Sequence, residues 1–491
     1  MARRGNFVSS PVVMPILNTG RFWDIITGNL VTGKHGDTIC VGGLAYQTGI
    51  AGPGNTFKSL FMWDMLLCVL NNYLSSQGNM YDTELSQQRS RPRNLSKLYD
   101  RLKEIVDIIY DEKMNESGQL QMTNAAQFLG DQWYSLFAES MDEKFNKGKK
   151  EIGKKNPEYF LETPFINPDG TNMFAMVPDV YGVDSFSNFL TASVEALQNE
   201  HDIGDGKRNV EVFRGGMAKT QMMMELPVKT ARGGGYILLS AHLGKEFSMD
   251  ARTPPAKQLA FMKQGVKFKN VPEKFTFLVN NCWLSMSASA YYNSSSDRVP
   301  AYPRNSQDKV VGDTDLMTVL IANLRGKSGG SGTPFEVVVR QSEGVMHSLT
   351  ELDFCKKYNR FGLDSNPQTY FLHLRPDVKL TRTTVDSKFR EDKLLARAMF
   401  ITFEMCYARY LHQDWPEQYR NVTPEELYEG LKAKGYDWDV LLGTTKPHWD
   451  FVDYEKVDPK KRLTTWDLLN MYHGTYHPFW MKDKPKPKAA A

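Results

Sequence analysis

The chain has 491 residues, 41% of them hydrophobic and 24% charged, which is the balance of a globular protein with room for one large core domain and a second unit, or for about three small ones. No apolar run reaches membrane-span length, the first residues lack the apolar stretch of a signal peptide, and five scattered cysteines show no metal-ligand spacing. A reduced, cytoplasmic protein is therefore expected, and its formal charge of +3 means that any surface for phosphates must come from local clustering.

Residues 1–35 are too few for a separate domain and are read as an N-terminal extension. Over 36–350, β-rich and helical segments alternate as in an α/β core with a mostly parallel central sheet covered by helices. Strands are expected at Thr38–Val41, Tyr46–Ala51, Gly78–Tyr81, Val180–Asp184, Tyr236–Ser240, Phe275–Val279, Leu316–Ile321 and Phe335–Val339. Pro178 limits how far the fourth of these can extend. An insertion near 125–170 carries the lysine run Lys144–Lys155, whose common meaning is a solvated loop and whose rarer one is a nucleic-acid contact. Met222–Met224 is read as helix core. Beyond residue 356 the pattern turns mostly helical: one long helix over Ser387–His412, a capped one over Thr423–Lys434, a third over Thr464–Tyr472, and a Lys/Pro tail expected to be disordered.

The stretch that carries most chemistry is Gly52-Pro53-Gly54-Asn55-Thr56-Phe57-Lys58-Ser59, set between an expected strand and the apolar helix-like run Leu60–Leu70. A strand, a glycine turn and a helix N-terminus ending in Lys-Ser is the geometry that wraps a nucleoside triphosphate. Backbone N–H groups face the phosphates, the lysine reaches the β/γ oxygens, and the serine hydroxyl takes Mg²⁺. The usual pattern has glycine before the lysine; here Phe57 stands there. An ordinary strand-to-helix turn is the alternative. Downstream, Glu84 in Tyr81-Asp-Thr-Glu84 could polarise a water, or be an exposed acid at a strand end. Asp184 ends an apolar strand and suits a magnesium contact made through water. His242, after Tyr236–Ser240, could sense a γ-phosphate or be a satisfied core histidine.

The order of these motifs resembles the RecA-type ATPase core, and most closely the phage UvsX recombinases, over roughly residues 15–345. Asn18-Thr19-Gly20, Asp24, Gly28 and Gly33 are loosely similar to the family's lead-in. Gly52-Pro53 with Phe57-Lys58-Ser59 looks like the UvsX form of the phosphate loop, Tyr81–Glu84 like the segment with the catalytic base, and Val183-Asp184-Ser185 like the second acidic strand. Ser240-Ala-His242 is similar to the position that holds Gln or His. Leu320–Lys327 followed by Gly332–Val339 looks like the closing strand pair, whose basic residues reach the neighbouring subunit's ATP. Asn323 stands where the family often has lysine, so that role would fall on Arg325, with Lys327 behind it. The interval from Glu84 to Asp184 exceeds the family's, implying an insertion.

The resemblance implies two DNA-facing loops. One near Asn199–Met217 holds Lys207, Arg208 and Arg214. The other, Leu243–Lys274, holds Lys245, Arg252, Lys257, Lys263, Lys267, Lys269 and Lys274 against Glu246, Asp250 and Glu273, seven basic residues to three acidic. Phe247, Phe261 and Phe268 are interleaved, as in surfaces that track phosphates and stack bases; a solvated amphipathic helix is the alternative. The implied function is an ATP- and Mg²⁺-dependent recombinase that forms filaments on single-stranded DNA and pairs it with duplex DNA. Single-strand-binding and mediator proteins would be its partners, no membrane would be involved, and a phage origin would place it in the host bacterial cytoplasm. A DnaB-like hexameric helicase shares this core, but residues 1–35 leave no room for its usual N-terminal domain. A KaiC-like regulatory ATPase without DNA is the third reading.

Overall fold

The computed structural model describes residues 15–481 apart from 89, 104–118, 153, 155–156, 203–204, 206–208, 246–256, 295–297, 309, 328, 367–368 and 453–460. The strands run in chain order as β1 (Asn29–Thr32), β2 (Thr38–Val41), β3 (Gln47–Gly52), β4 (Gln77–Asp82), β5 (Leu120–Asn124), β6 (Phe160–Ile166), β7 (Asn172–Met176), β8 (Asp179–Asp184) and β9 (Gly235–Lys245). They continue as β10 (Val266–Phe268), β11 (Asn281–Ala290), β12 (Leu316–Gly326), β13 (Pro334–Arg340), β14 (Gly344–Val345), β15 (Leu363–Ser365), β16 (Thr369–Leu372) and β17 (Arg375–Thr381).

Ten of them form one mixed sheet in the order β14-β13-β12-β11-β3-β9-β8-β4-β5, with β10 returning antiparallel on β9. The six from β11 to β5 are parallel to their neighbours; β12, β13 and β14 continue antiparallel. Alternate side chains on each strand enter opposite layers, as the period of two requires. Ile50, Met80, Val180, Tyr236 and Leu238 join one apolar cluster, while Ala51, Tyr81, Val183, Ile237 and Leu239 join the other. The first layer holds the helix Lys58–Asn72, and the second holds the helices Gly130–Lys149 and Asn209–Gly233. Strands buried on both faces read as the near-continuous apolar runs from which they were expected. β8 begins directly after Pro178, where a residue without an N–H is tolerated.

Several expectations are corrected. Phe275–Val279 is not a strand: Lys274–Leu278 is a short helix, and the sheet strand is the next segment, β11. A five-residue apolar run bears no period that separates a buried helical turn from a strand. Ser387–His412 is two helices, Val385–Glu391 and Lys393–Leu411, because Asp392 takes an extended conformation and accepts a hydrogen bond from Leu395 N at 2.9 Å. The lysine run is not a loop at its start: Lys144 lies in the helix Gly130–Lys149, buried, with its ammonium 2.6 Å from Asp179. The Met222–Met224 run is core at Met222 and Met223 but exposed at Met224. The Lys/Pro tail lies outside the described residues from 482 on.

The region after 356 is helical except for the small antiparallel sheet β15-β16-β17. It packs on the core rather than apart from it. Leu17, Phe22, Trp23, Phe403, Tyr407, Trp449 and Trp466 share one cluster. His412 Nε2 lies 2.7 Å from Ile25 O, Asp467 accepts from Thr38 N at 2.7 Å, and the fully buried Arg340 donates to Asp386 at 2.7 Å. No helix among the described residues is long and apolar enough to cross a membrane.

That shared core carries a pH prediction. Glu351 is 1% exposed, and burial pushes its carboxyl up to about 8, against the opposing pull of Arg21. A carboxyl whose folded pKa is raised stabilises fully below its unfolded pKa, and that contribution is lost as pH climbs to about 8. Glu351→Gln is expected to melt with the wild type at pH 5. At pH 8 it should be more stable, by up to about 5 kcal/mol. Thermal melts of both proteins across that range check it; parallel curves would mean that Glu351 stays ionised.

Candidate functional site

The loop after β3 is built by close approach. A side chain at Gly52 would meet Ser285 O at 2.5 Å and Thr56 Oγ1 at 2.7 Å, so only glycine lets β3 turn there. Thr56 Oγ1 closes the turn on Pro53 O at 2.9 Å, and Ser285 Oγ, from β11, holds Thr56 O. Asn55 and Phe57 both have left-handed backbones, at φ 59° and 63°. Phe57 thus keeps the conformation that glycine adopts freely, at a cost of about 1–2 kcal/mol, and its ring packs against the core as partial compensation. The helix Lys58–Asn72 starts at the next residue, with Lys58 7% exposed and its Nζ donating to Pro53 O at 2.6 Å. Burial lowers the Lys58 pKa, while the carboxylates of Asp184 and Glu84 act to raise it. Ser59, half-buried, follows in the first helical turn.

These carboxylates arrive on neighbouring strands. Gly52 is level with His242 on β9, and Asp82 is level with Asp184 on β8. Asp184 is buried; its Oδ1 accepts from Ser240 Oγ and its Oδ2 from Gln87 Nε2, both at 2.7 Å. Asp82 accepts from Glu84 N at 3.0 Å and Gln87 N at 2.7 Å, an aspartate turn that folds the chain back and presents Glu84. Thr83 extends the β4–β8 pairing past the strand ends, donating from N to Asp184 O at 2.7 Å and from Oγ1 to Ser185 O at 2.8 Å. Glu84 Oε1 then lies 2.8 Å from His242 Nε2 and accepts from Asn188 Nδ2 at 2.9 Å. Both donors take one oxygen, so Oε2 can face a water.

No family model matches this chain, and no curated protein does.

Lys58, Asp184, Glu84 and His242 are brought together at the carboxyl ends of β3, β8, β4 and β9. Arg325 is not. On the antiparallel β12 it pairs with Cys282, which is level with Gly49, and its guanidinium donates to Thr276 O within the same chain. Lys327 beyond it is exposed. Of the expected DNA residues, Lys207, Arg208 and Arg252, with Phe247, lie outside the described residues. Arg214 is exposed, but on the helix Asn209–Gly233 rather than in a loop. The second loop is partly regular: β9 runs out to Lys245 and β10 returns beside it, Val266 opposite Lys245 and Phe268 opposite Leu243. Lys245, Lys257, Lys263 and Lys269 are exposed and Lys267 is half-buried. Phe268 is core instead of a base-stacking residue, 5% exposed with its ring 5.2 Å from Phe275, whereas Phe261 is 53% exposed.

Residue-type reasoning missed the supports. Asn188 and Ser187 sit in the short turn Phe186–Asn188 after β8, and Gln87 sits three residues past Glu84. Polar runs directly after apolar strands were their only signal. Arg91, on the helix Ser90–Ser96, also lies in the field of Asp184; burial lowers its pKa and Asp184 opposes that, and its buried Nε has no hydrogen-bond partner among the described residues. Among the described residues one group could hold a metal ion by spacing, Asp64, Cys68 and His347. All three are buried, and Asp64 already accepts from Tyr99 at 2.6 Å and from Trp23 at 2.8 Å, with His347 Nε2 2.8 Å away. That donor set satisfies the carboxylate as a core hydrogen-bond knot.

Proposed function

We propose that this chain is an ATP-dependent DNA recombinase with a RecA-like core, acting in the cytoplasm as a filament on single-stranded DNA. The observation that carries the reading is the convergence of Lys58, Asp184 and the Glu84–His242 pair where parallel strands end beside a helix N-terminus, the crevice in which open α/β sheets take their ligands. Lys58 keeps two ammonium protons for phosphate oxygens beyond its bond to Pro53. Asp184 keeps lone pairs on both oxygens despite its two donors, which fits a magnesium held by Ser59 and, through water, by Asp184. When bound, that ion would neutralise phosphate charge. Glu84 would orient the attacking water.

The link to DNA runs through β9. His242 N donates to Ser187 Oγ at 2.9 Å, Ser187 Oγ donates to Lys269 O at 2.8 Å, and Lys269 N donates to His242 O at 2.8 Å. The β9–β10 ribbon with its exposed lysines is thus tied to the residue that touches Glu84. A phosphate that displaced His242 from Glu84 would pull on the ribbon.

Electron microscopy of the protein with long single-stranded DNA and a non-hydrolysable ATP analogue tests this. Extended helical filaments are expected; closed rings would make it a helicase, and neither would leave no DNA motor. The position of Arg325, away from its own chain's Lys58, favours a role across a subunit boundary. Arg325→Ala is expected to cut DNA-stimulated hydrolysis by about 10³-fold while nucleotide binding by the isolated subunit persists. An unfolded variant would instead mean that the bond to Thr276 O is structural.

A further inference from the structure

A cavity of about 570 Å³ opens far from Lys58, between the end of β11 and the small sheet β15-β16-β17. Ser285 of β11 touches the 52–59 loop, and Tyr291, at the cavity, is six residues farther along, roughly 20 Å away. Three walls meet there: Tyr291, Tyr292 and Tyr302 from the segment after β11, Asp353, Lys356 and Lys357 from the helix His347–Lys357, and Arg360, Tyr370 and Arg382 around the small sheet.

Its chemistry is cationic and aromatic at once. Lys356 Nζ stands 4.3 Å above the Tyr370 ring and 4.9 Å from the Tyr302 ring centre, and donates to Tyr302 OH at 2.8 Å. Tyr291 and Tyr302 meet edge to face at 5.8 Å. Asp353, the one acid among the described lining residues, is spent internally: Tyr291 OH donates to Oδ2 at 2.8 Å and Tyr302 OH to Oδ1. Four cationic side chains line the cavity, Lys356, Lys357, Arg360 and Arg382; Lys357 is ion-paired with Glu336, and Asp353 is turned to the tyrosines. Arg382 donates through Nη1 to Pro300 O at 2.8 Å, which fixes its guanidinium at the rim.

We propose that this cavity is a second site, distinct from the 52–59 loop, for a nucleoside phosphate, with the base against the tyrosine rings and the phosphate on Arg360 and Arg382. Rings supply a sequence-tolerant face for any base, guanidinium groups match phosphate geometry, and the volume suits a ligand of nucleotide size. The same chemistry is offered by a free mononucleotide or by the terminal nucleotide of a single strand. The site does not depend on the recombinase reading, because none of its residues belongs to the Lys58 cluster.

The test is calorimetric titration of the full-length Lys58→Ala protein with dTMP, with a short 5′-phosphorylated oligothymidylate, and with inorganic phosphate. Saturable dTMP binding is expected, weakened about tenfold by Arg360→Gln and about tenfold by Tyr370→Leu, while melting is unchanged. Lys357→Gln, which removes a cation 54% exposed and leaves its ion-pair partner Glu336 uncompensated, should weaken it severalfold and serves if another variant fails to fold. Binding of the oligonucleotide without free dTMP assigns the site to strand ends. Absence of both, or phosphate binding as tightly as dTMP and indifferent to Tyr370→Leu, overturns the proposal.

Discussion

Lys58→Ala is expected to reduce ATP turnover by at least about 10²–10³-fold, the loss that follows removal of one preorganised charge from developing phosphate charge. The unliganded protein should fold as before. Lys58 makes one hydrogen bond, to Pro53 O, worth about 1 kcal/mol, and it is buried against a desolvation cost that its lowered pKa reports. Losing both leaves the melting midpoint within a few degrees of the wild type, about the size of a 1 kcal/mol change. Phosphate release assays and nucleotide-free melts on the same preparation separate the outcomes. Unchanged turnover would remove the 52–59 loop from the chemistry. A large fall in melting temperature would make Lys58 a structural residue.

How much of this site is legible in the sequence depends on what each residue needs from its neighbours. β3, the helix after it, and the strand ends at Asp82 and Asp184 are local patterns, apolar runs closed by a polar residue; His242 closes the apolar part of β9, which runs on three residues to Lys245. Phe57 is the instructive exception to residue type. Its identity argues against the loop and its backbone argues for it, because the left-handed turn is imposed by Gly52, Ser285 and Thr56 around it. The supports could not be read. Gln87 and Asn188 gain meaning only when the β4 and β8 ends lie side by side, about one hundred residues apart in the chain. Phe268 reads as a surface aromatic among lysines, but strand alternation on β10 turns it inward and leaves Lys267 beside it half-buried. The region after 356 hid its small sheet because strands of three, four and seven residues rich in polar side chains carry little periodicity.

Glu84→Gln is expected to lower hydrolysis by about 10²–10⁴-fold with nucleotide affinity retained, since the amide keeps the shape of the carboxylate and loses only its capacity to take a proton from water. The comparison with His242→Ala separates chemistry from signalling. His242 reaches Glu84 through Nε2 alone; its ties to Ser187 and Lys269 are made by main-chain N and O, which alanine keeps. The alanine variant therefore retains the ribbon and a charged Glu84 but severs the bond between them. Its basal hydrolysis should fall less than that of Glu84→Gln, while the stimulation by single-stranded DNA disappears. Steady-state hydrolysis by both variants, with and without DNA, reads the difference. If His242→Ala is stimulated by DNA as the wild type is, the signal does not travel along β9. If Glu84→Gln hydrolyses at the wild-type rate, the base is another group, and Oε1 serves only to hold His242 and Asn188 in place.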